Sequence, residues 1–327
     1  MQQTIRGARC AAIYSDRAIL VLSEAGETRM NLVPYLKQTP VVGDELVLGE
    51  VGAERFVVDI LPRRSLLERV SAHPSRNRLD QPLAANVDRV FIVTSANQEF
   101  SMPRLERYYL LAQRAGIPCC VVLSKCDLPG GGEGFAQIIA EQLPQVSVIR
   151  TSADTGLGLD ALRAQWQPGQ SAVFLGSSGV GKSSLINALL GEQAAKTTQV
   201  RADDKGRHTT TIRQLFALAD GRIIIDTPGL RSVGARYDAA ALQDLYPEIA
   251  DLESQCRFRN CSHTHEPGCA IKAALDSGEL DMDRFLRYLR LKGREQQRRS
   301  LAEEKGFIGR RTAANSLKRE LRNRRKT

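Results

Sequence analysis

Short apolar or alternating segments, separated by turns, fill the first part of the chain. The clearest lie at 19–22, 45–48 and 55–60, and glycine-containing turns separate them. Frequent turns between such segments are typical of short strands in a small β structure. About five strands in this length predict a closed barrel of the OB type over residues 1–65, and another kind of small β barrel is the alternative.

A different pattern begins after a polar, arginine-rich segment at 66–82, which we predict to be a linker. Apolar runs typical of strands buried on both faces then alternate with a helical periodicity that is clearest at 104–115. These runs are 90–94, 120–123, 146–150 and 172–175. The alternation predicts an α/β domain with a parallel sheet over 83–235. A helical, cysteine-containing and increasingly basic domain is predicted over 236–327.

The net charge of +9 is concentrated at the C-terminal end. Residues 292–327 contain thirteen lysines and arginines against four glutamates, so the rest of the chain is neutral overall. Such a block favours a polyanionic partner, RNA in particular, over a generally basic enzyme. The alternatives are a solvated charged helix and a membrane surface, although no apolar stripe with aromatics accompanies the charges.

Other features of the composition predict a cytoplasmic protein. No apolar region of a signal peptide follows Met1, and no window approaches the roughly 18 apolar residues of a membrane span. We therefore expect no membrane partner. The odd number of seven cysteines indicates reduced thiols with one metal site, rather than a disulfide framework.

Residues 176–183 match the phosphate-loop pattern G-x4-G-K-S. The motif follows the apolar run at 172–175 and precedes a predicted helix at 184–190, which is the context it needs. We expect backbone N–H groups and Lys182 to bind the phosphates, and the Ser183 hydroxyl to bind Mg²⁺. An ordinary glycine-rich turn is the alternative. The predicted phosphate-binding residues are Gly176, Ser177, Ser178, Gly179, Val180, Gly181, Lys182, Ser183 and Ser184.

A second phosphate motif, Asp-Thr-Pro-Gly, lies at 226–229 after a predicted strand at 223–225. An acid at a strand end, followed by a glycine, is typical of a switch nucleotidase. We expect Asp226 to hold Mg²⁺ through water and Gly229 to contact the γ-phosphate. The number of residues between Lys182 and this motif disfavours the alternative of a plain turn.

The polar segment at 205–211, between the two phosphate motifs, contains three consecutive threonines. A threonine here completes the Mg²⁺ shell in an ordered switch loop, and we assign this role to Thr210. A solvated polar loop is the alternative.

The sequence Ser-Lys-Cys-Asp at 124–127 predicts recognition of guanine. It follows an apolar run and resembles the Asn-Lys-x-Asp motif of G proteins, with Ser124 in place of Asn. The Asp127 carboxylate can accept hydrogen bonds from two guanine donors that adenine lacks. Thr-Ser-Ala at 151–153 is expected to supply the last base contact. The predicted base-binding residues are Ser124, Lys125, Cys126, Asp127, Ser152 and Ala153.

The order of these motifs predicts a circular permutation. The base-binding motifs precede the phosphate motifs, whereas they follow them in ordinary G proteins. The strands of a sheet can be reconnected without loss of the site if the former chain ends lie close together. The chain after the second phosphate motif then leads directly into the C-terminal domain.

Three cysteines and one histidine near the start of that domain have the spacing of a zinc site. The pattern Cys-x4-Cys-x-His-x5-Cys supplies a closed tetrahedral set, which is typical of structural rather than catalytic Zn²⁺. His265 is a near miss, and a reduced cysteine-rich loop without metal is the alternative. The predicted zinc ligands are Cys256, Cys261, His263 and Cys269.

Together these features resemble a known family. The most specific are the permuted order, G-S-S-G-V-G-K-S-S-L-I-N at 176–187, G-R-H-T-T-T at 206–211 and E-P-G-C at 266–269. The segments P-V-V-G-D at 40–44 and A-A-N-V-D at 84–88 also match. Over nearly its whole length, the sequence resembles the bacterial small-ribosomal-subunit biogenesis GTPase A family, also called RsgA or YjeQ.

The resemblance implies an OB barrel, a circularly permuted P-loop GTPase domain and a helical zinc-binding domain. It also implies association with the 30S subunit and its 16S rRNA during late maturation, with GTP hydrolysis to GDP stimulated by the subunit. It assigns the nucleotide role to 124–127 and 176–184, and zinc ligation to the four residues above. We expect a monomer with one structural Zn²⁺, and with Mg²⁺ bound together with GTP.

Catalysis is expected to depend on charge stabilisation during in-line attack of water on the γ-phosphate, with Lys182 and Mg²⁺ as the main charges. No glutamine follows Leu230 to orient the water, so His208 is our candidate for that role. Turnover is expected to be slow without the subunit. The alternatives are an RNA-binding assembly factor whose hydrolysis is incidental, and a P-loop enzyme that acts on a small molecule.

Overall fold

A computed structural model describes residues 5–14, 18–23, 26–33, 36–51, 54–70, 80–191, 213–227 and 239–293 of the 327-residue chain. The chain divides into two compact units, Met1–Arg236 and Tyr237–Thr327. His208, Thr210, Gly229 and all but the first two residues of the basic segment at 292–327 lie outside the described residues.

The N-terminal strands close into a barrel, which confirms the OB-type prediction. They are β1 (Ile5–Ile13), β2 (Ala18–Ser23), β3 (Gly26–Leu32), β4 (Glu45–Val51) and β5 (Glu54–Ile60). Their order is β1-β2-β3-β5-β4, and β4 returns to pair with β1. Alternate side chains such as Ile19, Val21, Leu46 and Leu48 point inwards and are almost completely buried, because successive residues of a strand face opposite sides.

The segment predicted as a linker contains two strands, so that interpretation needs correction. Strands β6 (Leu66–Val70) and β7 (Asp80–Ala85) form a two-stranded antiparallel sheet. Leu67 and Leu83 are fully buried, whereas Arg69 donates to Gln81 on the exposed side. The arginine-rich composition concealed a short apolar stretch at the end of β7, where Leu83, Ala84 and Ala85 are all fully buried.

The next strands form the predicted parallel sheet. They are β8 (Arg89–Ser95), β9 (Cys119–Ser124), β10 (Val148–Arg150), β11 (Ser171–Leu175), β12 (Gln214–Ala217) and β13 (Ile223–Asp226). Their order is β10-β9-β8-β11-β13-β12, and β12 alone runs antiparallel to its neighbour in this part of the sheet. The carboxyl ends of β8, β9, β11 and β13 therefore meet at one edge.

Four described helices accompany this sheet. They are α1 (Met102–Arg114), α2 (Glu133–Gln142), α3 (Leu159–Arg163) and α4 (Lys182–Leu190). The core beneath them includes Phe91, whose ring centroid lies 5.0 Å from that of Phe174 and 5.1 Å from that of Trp166. Buried aromatic contacts of this kind stabilise the strand that leads to the phosphate loop.

The barrel continues the parallel sheet rather than standing apart from it. Ala12 of β1 pairs with Gln214 of β12, which in turn pairs with Asp226 of β13. Arg9 of β1 donates to the Ser171 hydroxyl at 3.0 Å, at the start of β11. Asn86 donates to the Gly43 carbonyl oxygen at 3.1 Å. The first unit thus has one hydrogen-bonded sheet across both parts.

The second unit consists of helices around a small core. They are α5 (Ala239–Leu245), α6 (Pro247–Ser254), α7 (Ala270–Ser277) and α8, which covers 282–293. Tyr246, Ile249, Ile271 and Phe285 are buried between them, and Arg284 forms an ion pair with Glu248. Within the described ranges, every helix is too short or too polar to cross a lipid bilayer.

We predict that Gly43→Ala destabilises the first unit by about 2–4 kcal/mol, because a Cβ would add an interior clash to the strain of a positive φ. Gly43 has φ +95°, and its Cβ would lie 2.2 Å from the Ala85 carbonyl oxygen. The matched control is Gly7→Ala, since Gly7 also has φ +95° but a Cβ added there would meet nothing within 4 Å. Denaturant unfolding of both variants measures the difference in the free energy of unfolding. Equal losses of stability in the two variants would contradict a close contact between Gly43 and Ala85.

Candidate functional site

The phosphate loop connects β11 to α4 and requires glycine at several positions. A Cβ on Gly176 would lie 2.5 Å from the Val93 carbonyl oxygen, and Gly179 and Gly181 have φ values of +83° and +89°. Such conformations are costly for residues with a side chain. The exposed hydroxyl-bearing residues Ser183 and Ser184 lie in the first turn of the helix that follows, which begins at Lys182. The sequence therefore folds here into a strand, a tight loop and a helix N-terminus, which together favour anions.

Lys182 is 7% exposed and folds back across the loop. Its Nζ donates to the carbonyl oxygens of Gly176 at 2.9 Å and Ser177 at 2.7 Å. Burial lowers the pKa of Lys182, while the negative charge of Asp226 raises it. A buried ammonium group held by neutral carbonyl oxygens is electrostatically suited to bind phosphate oxygens.

Asp226 lies at the carboxyl end of β13, next to the phosphate loop. Its Oδ1 atom is buried and has no hydrogen-bond partner within the described part of the chain. Burial raises the pKa of Asp226, and the charge of Lys182 lowers it. A buried carboxylate oxygen without a donor fits a hydrated cation such as Mg²⁺, with the exposed Ser183 hydroxyl as a second oxygen ligand.

The base-binding motif contacts the phosphate loop directly. The Ser124 hydroxyl lies 3.0 Å from the Thr94 carbonyl oxygen and 2.6 Å from the Val180 carbonyl oxygen. Lys125 has φ +59°, and its Nζ donates to the Gly179 carbonyl oxygen at 2.9 Å. Two motifs that lie about fifty residues apart in the sequence are thus in direct contact in the folded chain.

The loop after β10 meets the base-binding motif from the other side. The side chain of Ser152 forms a hydrogen bond with exposed Asp127 and lowers the pKa of this carboxyl group. The Cys126 amide donates to the Thr151 carbonyl oxygen at 3.0 Å, which joins the two loops. Ala153 is partly buried and packs against the sheet core. Burial raises the pKa of the Cys126 thiol, so this side chain remains neutral and serves packing.

Sequence reasoning missed two residues that hold these sites in place. Tyr108 of α1 is 3% exposed and forms a hydrogen bond with the side chain of Ser177 in the phosphate loop. Glu253 of α6 lies 3.2 Å from the Nε2 atom of His263 in the cysteine cluster. Neither residue belongs to a recognisable motif, because each acts across a contact that only the folded chain creates.

The four predicted zinc ligands form one cluster. Their ligand atoms, on Cys256, Cys261, His263 and Cys269, all lie within 4.8 Å of one another. The His263 Nδ1 atom lies 3.7 Å from the Cys256 Sγ and 3.6 Å from the Cys269 Sγ. Three thiols and one imidazole at these spacings fit the tetrahedral chemistry of Zn²⁺.

Local backbone geometry supports the cluster. His263 has φ +61°, which turns the chain sharply between the second and third cysteines. Cys269 caps helix α7, and its Sγ accepts a hydrogen bond from the Lys272 amide at 3.3 Å. His265 lies outside the cluster, as its near-miss spacing indicated.

Comparisons with known proteins agree with this geometry. The family model for the RsgA GTPase matches residues 60–236. A relative from Methanosarcina acetivorans, called small ribosomal subunit biogenesis GTPase RsgA, is 43% identical over 256 residues, which are 77% of this chain and 69% of the relative. A relative of the same name from Mesorhizobium japonicum is 38% identical over 292 residues, which are 88% of this chain and 83% of the relative.

Solved structures show the same fold. The crystal structure of YjeQ from Thermotoga maritima has a TM-score of 0.58 and 24% identity, and the match covers 89% of this chain and 99% of that one. The structure of YloQ, described as a circularly permuted GTPase, has a TM-score of 0.55 and 24% identity over 90% and 96% of the two chains. The chain therefore belongs to the RsgA GTPase family, and it is a GTPase with a circularly permuted nucleotide-binding domain.

Proposed function

We propose that this GTPase acts in biogenesis of the small ribosomal subunit, where it binds the 30S subunit and its 16S rRNA as a cytoplasmic monomer. The names of the relatives support the subunit as partner. The contact of Ser124 and Lys125 with the phosphate loop is the observation that carries the proposal, because it joins base recognition and phosphate binding in one site. In this proposal, the rate of GTP hydrolysis depends on the state of the bound small subunit.

Guanine selection is the task of Asp127 in this proposal. Its hydrogen bond with Ser152 favours the ionised carboxylate, which accepts from two donors on guanine. Adenine offers neither donor, so the carboxylate discriminates against ATP. Lys125 bridges from this motif to the Gly179 carbonyl oxygen and keeps the base-binding loop in register with the phosphates.

Phosphate chemistry falls to Lys182 and its neighbours. The ammonium group exchanges its two loop carbonyl oxygens for oxygens of the β- and γ-phosphates when nucleotide binds. Ser183 and Asp226 would hold Mg²⁺, which would supply positive charge against the phosphates. Thr210, Gly229 and His208 complete the site in the proposal, with His208 orienting the attacking water.

In this proposal, the bound small subunit activates the GTPase site. The basic residues at 292–327 provide contacts with RNA phosphates, and binding should therefore weaken as salt concentration rises. The zinc centre stabilises a unit whose apolar core is small. The other candidate function is an RNA-binding factor for which GTP is a switch and hydrolysis is incidental, favoured by the concentration of charge outside the nucleotide domain.

We predict that purified small subunits stimulate GTP turnover by at least about tenfold, since a group supplied in trans is worth about 10³–10⁵ in related reactions. ATP added in excess should not compete. The assay compares turnover with and without subunits, alongside subunit affinity in GDP, GTP and a non-hydrolysable analogue. If affinity for the subunit depends on the nucleotide but turnover is not stimulated, the RNA-binding factor is favoured. If subunits change neither turnover nor binding, both candidate functions are excluded.

We predict that Asp127→Asn lowers GTP affinity by at least about tenfold and raises affinity for xanthosine triphosphate, because the amide donates where guanine also donates and xanthine accepts. Asp154→Asn is the matched control, since Asp154 is an exposed carboxylate in the neighbouring loop. Equilibrium binding of GTP and of xanthosine triphosphate to both variants measures this change in specificity. Unchanged GTP affinity in the first variant would remove Asp127 from the base site.

We predict that His208→Ala lowers subunit-stimulated turnover by about 10²–10⁴-fold and leaves GTP affinity unchanged, as expected for a group that orients water. Single-turnover hydrolysis with saturating subunits separates the chemical step from binding. His265→Ala is the control, because His265 lies in the second unit outside the metal cluster. Stimulated turnover equal to that of the unmodified protein would reject the assignment.

A further inference from the structure

A carboxylate outside the predicted ligand set holds the histidine of the cysteine cluster. Glu253, near the end of α6, has its Oε1 atom 3.2 Å from the Nε2 atom of His263. The other ring nitrogen, Nδ1, faces the sulfurs of Cys256 and Cys269 at 3.7 and 3.6 Å. A proton on Nε2, donated to Glu253, leaves the lone pair of Nδ1 free to bind a metal.

The same carboxylate is held by helix α8. The Tyr288 hydroxyl donates to Oε2 of Glu253 at 2.8 Å, and the Lys292 Nζ donates to Oε1 at 2.7 Å. These two residues are four apart and share one face of the helix, as does Phe285, whose ring centroid lies 6.2 Å from that of His263. The carboxylate therefore has partners on both of its oxygens, and its orientation is fixed.

Hydrogen bonds from Tyr288 and Lys292 hold the Glu253 carboxylate beside the imidazole of His263. A carboxylate fixed in this position can accept a hydrogen bond from the imidazole N–H and orient the ring. The geometry is thus that of a metal-bound histidine supported by an outer carboxylate.

We propose that Glu253 is the positioning residue of the metal centre, which directs Nδ1 of His263 towards the three thiolates and couples the centre to α8 through Tyr288 and Lys292. This inference depends on the zinc centre of the proposed function. Because the coupling is reciprocal, zinc binding stabilises the docking of α8, and loss of that docking weakens zinc binding. Helix α8 ends at 293, inside the basic segment at 292–327, and its Lys292 is the residue of that segment that pairs with Glu253.

The decisive variants are Glu253→Gln and Glu248→Gln in the full chain. Glu248 is a matched control, because it also lies on α6 and pairs with a basic residue of α8, Arg284, but it is not among the groups around the cluster. We expect Glu253→Gln to weaken zinc affinity by about 10–100-fold in competition with a chromophoric chelator, and Glu248→Gln to change it by less than about twofold. Both variants retain a stoichiometry of one zinc per chain.

Two further measurements separate positioning from general stability. The absorption bands of the Co²⁺-loaded protein report the geometry of the thiolate and imidazole ligands, and they shift in Glu253→Gln but not in Glu248→Gln. Tyr288→Phe removes only one donor to Glu253 and keeps the ring, so it weakens zinc affinity by a few-fold. Hydrogen exchange of the amides at 282–293 slows when zinc is added to the unmodified chain, and slows less in Glu253→Gln.

Equal zinc affinity and identical cobalt spectra in Glu253→Gln and the unmodified chain would overturn the positioning role while leaving the zinc centre intact. If the unmodified chain takes up no zinc, the centre and the role of Glu253 both fall. Should Glu253→Gln fail to fold, Tyr288→Phe decides, and an unchanged affinity together with an unchanged cobalt spectrum in that variant rejects the proposal.

Discussion

A hydrogen bond from the Ser124 hydroxyl to the phosphate loop connects the predicted base-binding motif to the predicted phosphate-binding residues. Ser124 ends β9, and its hydroxyl lies within reach of carbonyl oxygens of Thr94, at the end of β8, and Val180, in the loop after β11. A parallel sheet brings these strand ends to one edge whatever the order of the connections. Circular permutation changes which motif is synthesised first, but it leaves this neighbour relationship and hence the site unchanged.

The same bond gives Ser124 a structural role at the position where G proteins have asparagine. A Cβ on Gly181 would lie 3.4 Å from the Ser124 Oγ, so the loop passes very close to the end of β9. At this distance a short hydroxyl side chain spans the gap. Asp127, to which we assign base recognition in the proposed function, forms a hydrogen bond with Ser152 of the neighbouring loop.

The features predicted from the sequence are those encoded locally. Apolar runs buried on both faces indicated β8 and β11, and spacing alone indicated the phosphate loop and the cysteine cluster. Strands β6 and β7 were missed because arginine-rich sequence surrounds the few residues that pack, such as Leu67 and Leu83. Tyr108 and Glu253 were missed for another reason: Glu253 meets Tyr288 across 35 positions of the sequence. No local period records such contacts, which arise only when helices pack.

The junction between the barrel and the parallel sheet also depends on contacts between residues that are far apart in the sequence. Ala12, Gln214 and Asp226 form one row across three strands, and the row ends at the carboxylate assigned to the metal. Beside it, buried Ser171 and Asn86 have specific partners in the barrel, namely Arg9 and Gly43. Displacing the barrel would break the Arg9–Ser171 and Asn86–Gly43 hydrogen bonds, at a cost of about 1 kcal/mol each. This row of hydrogen-bonded strands links β1 of the barrel through β12 to β13, the strand that carries Asp226.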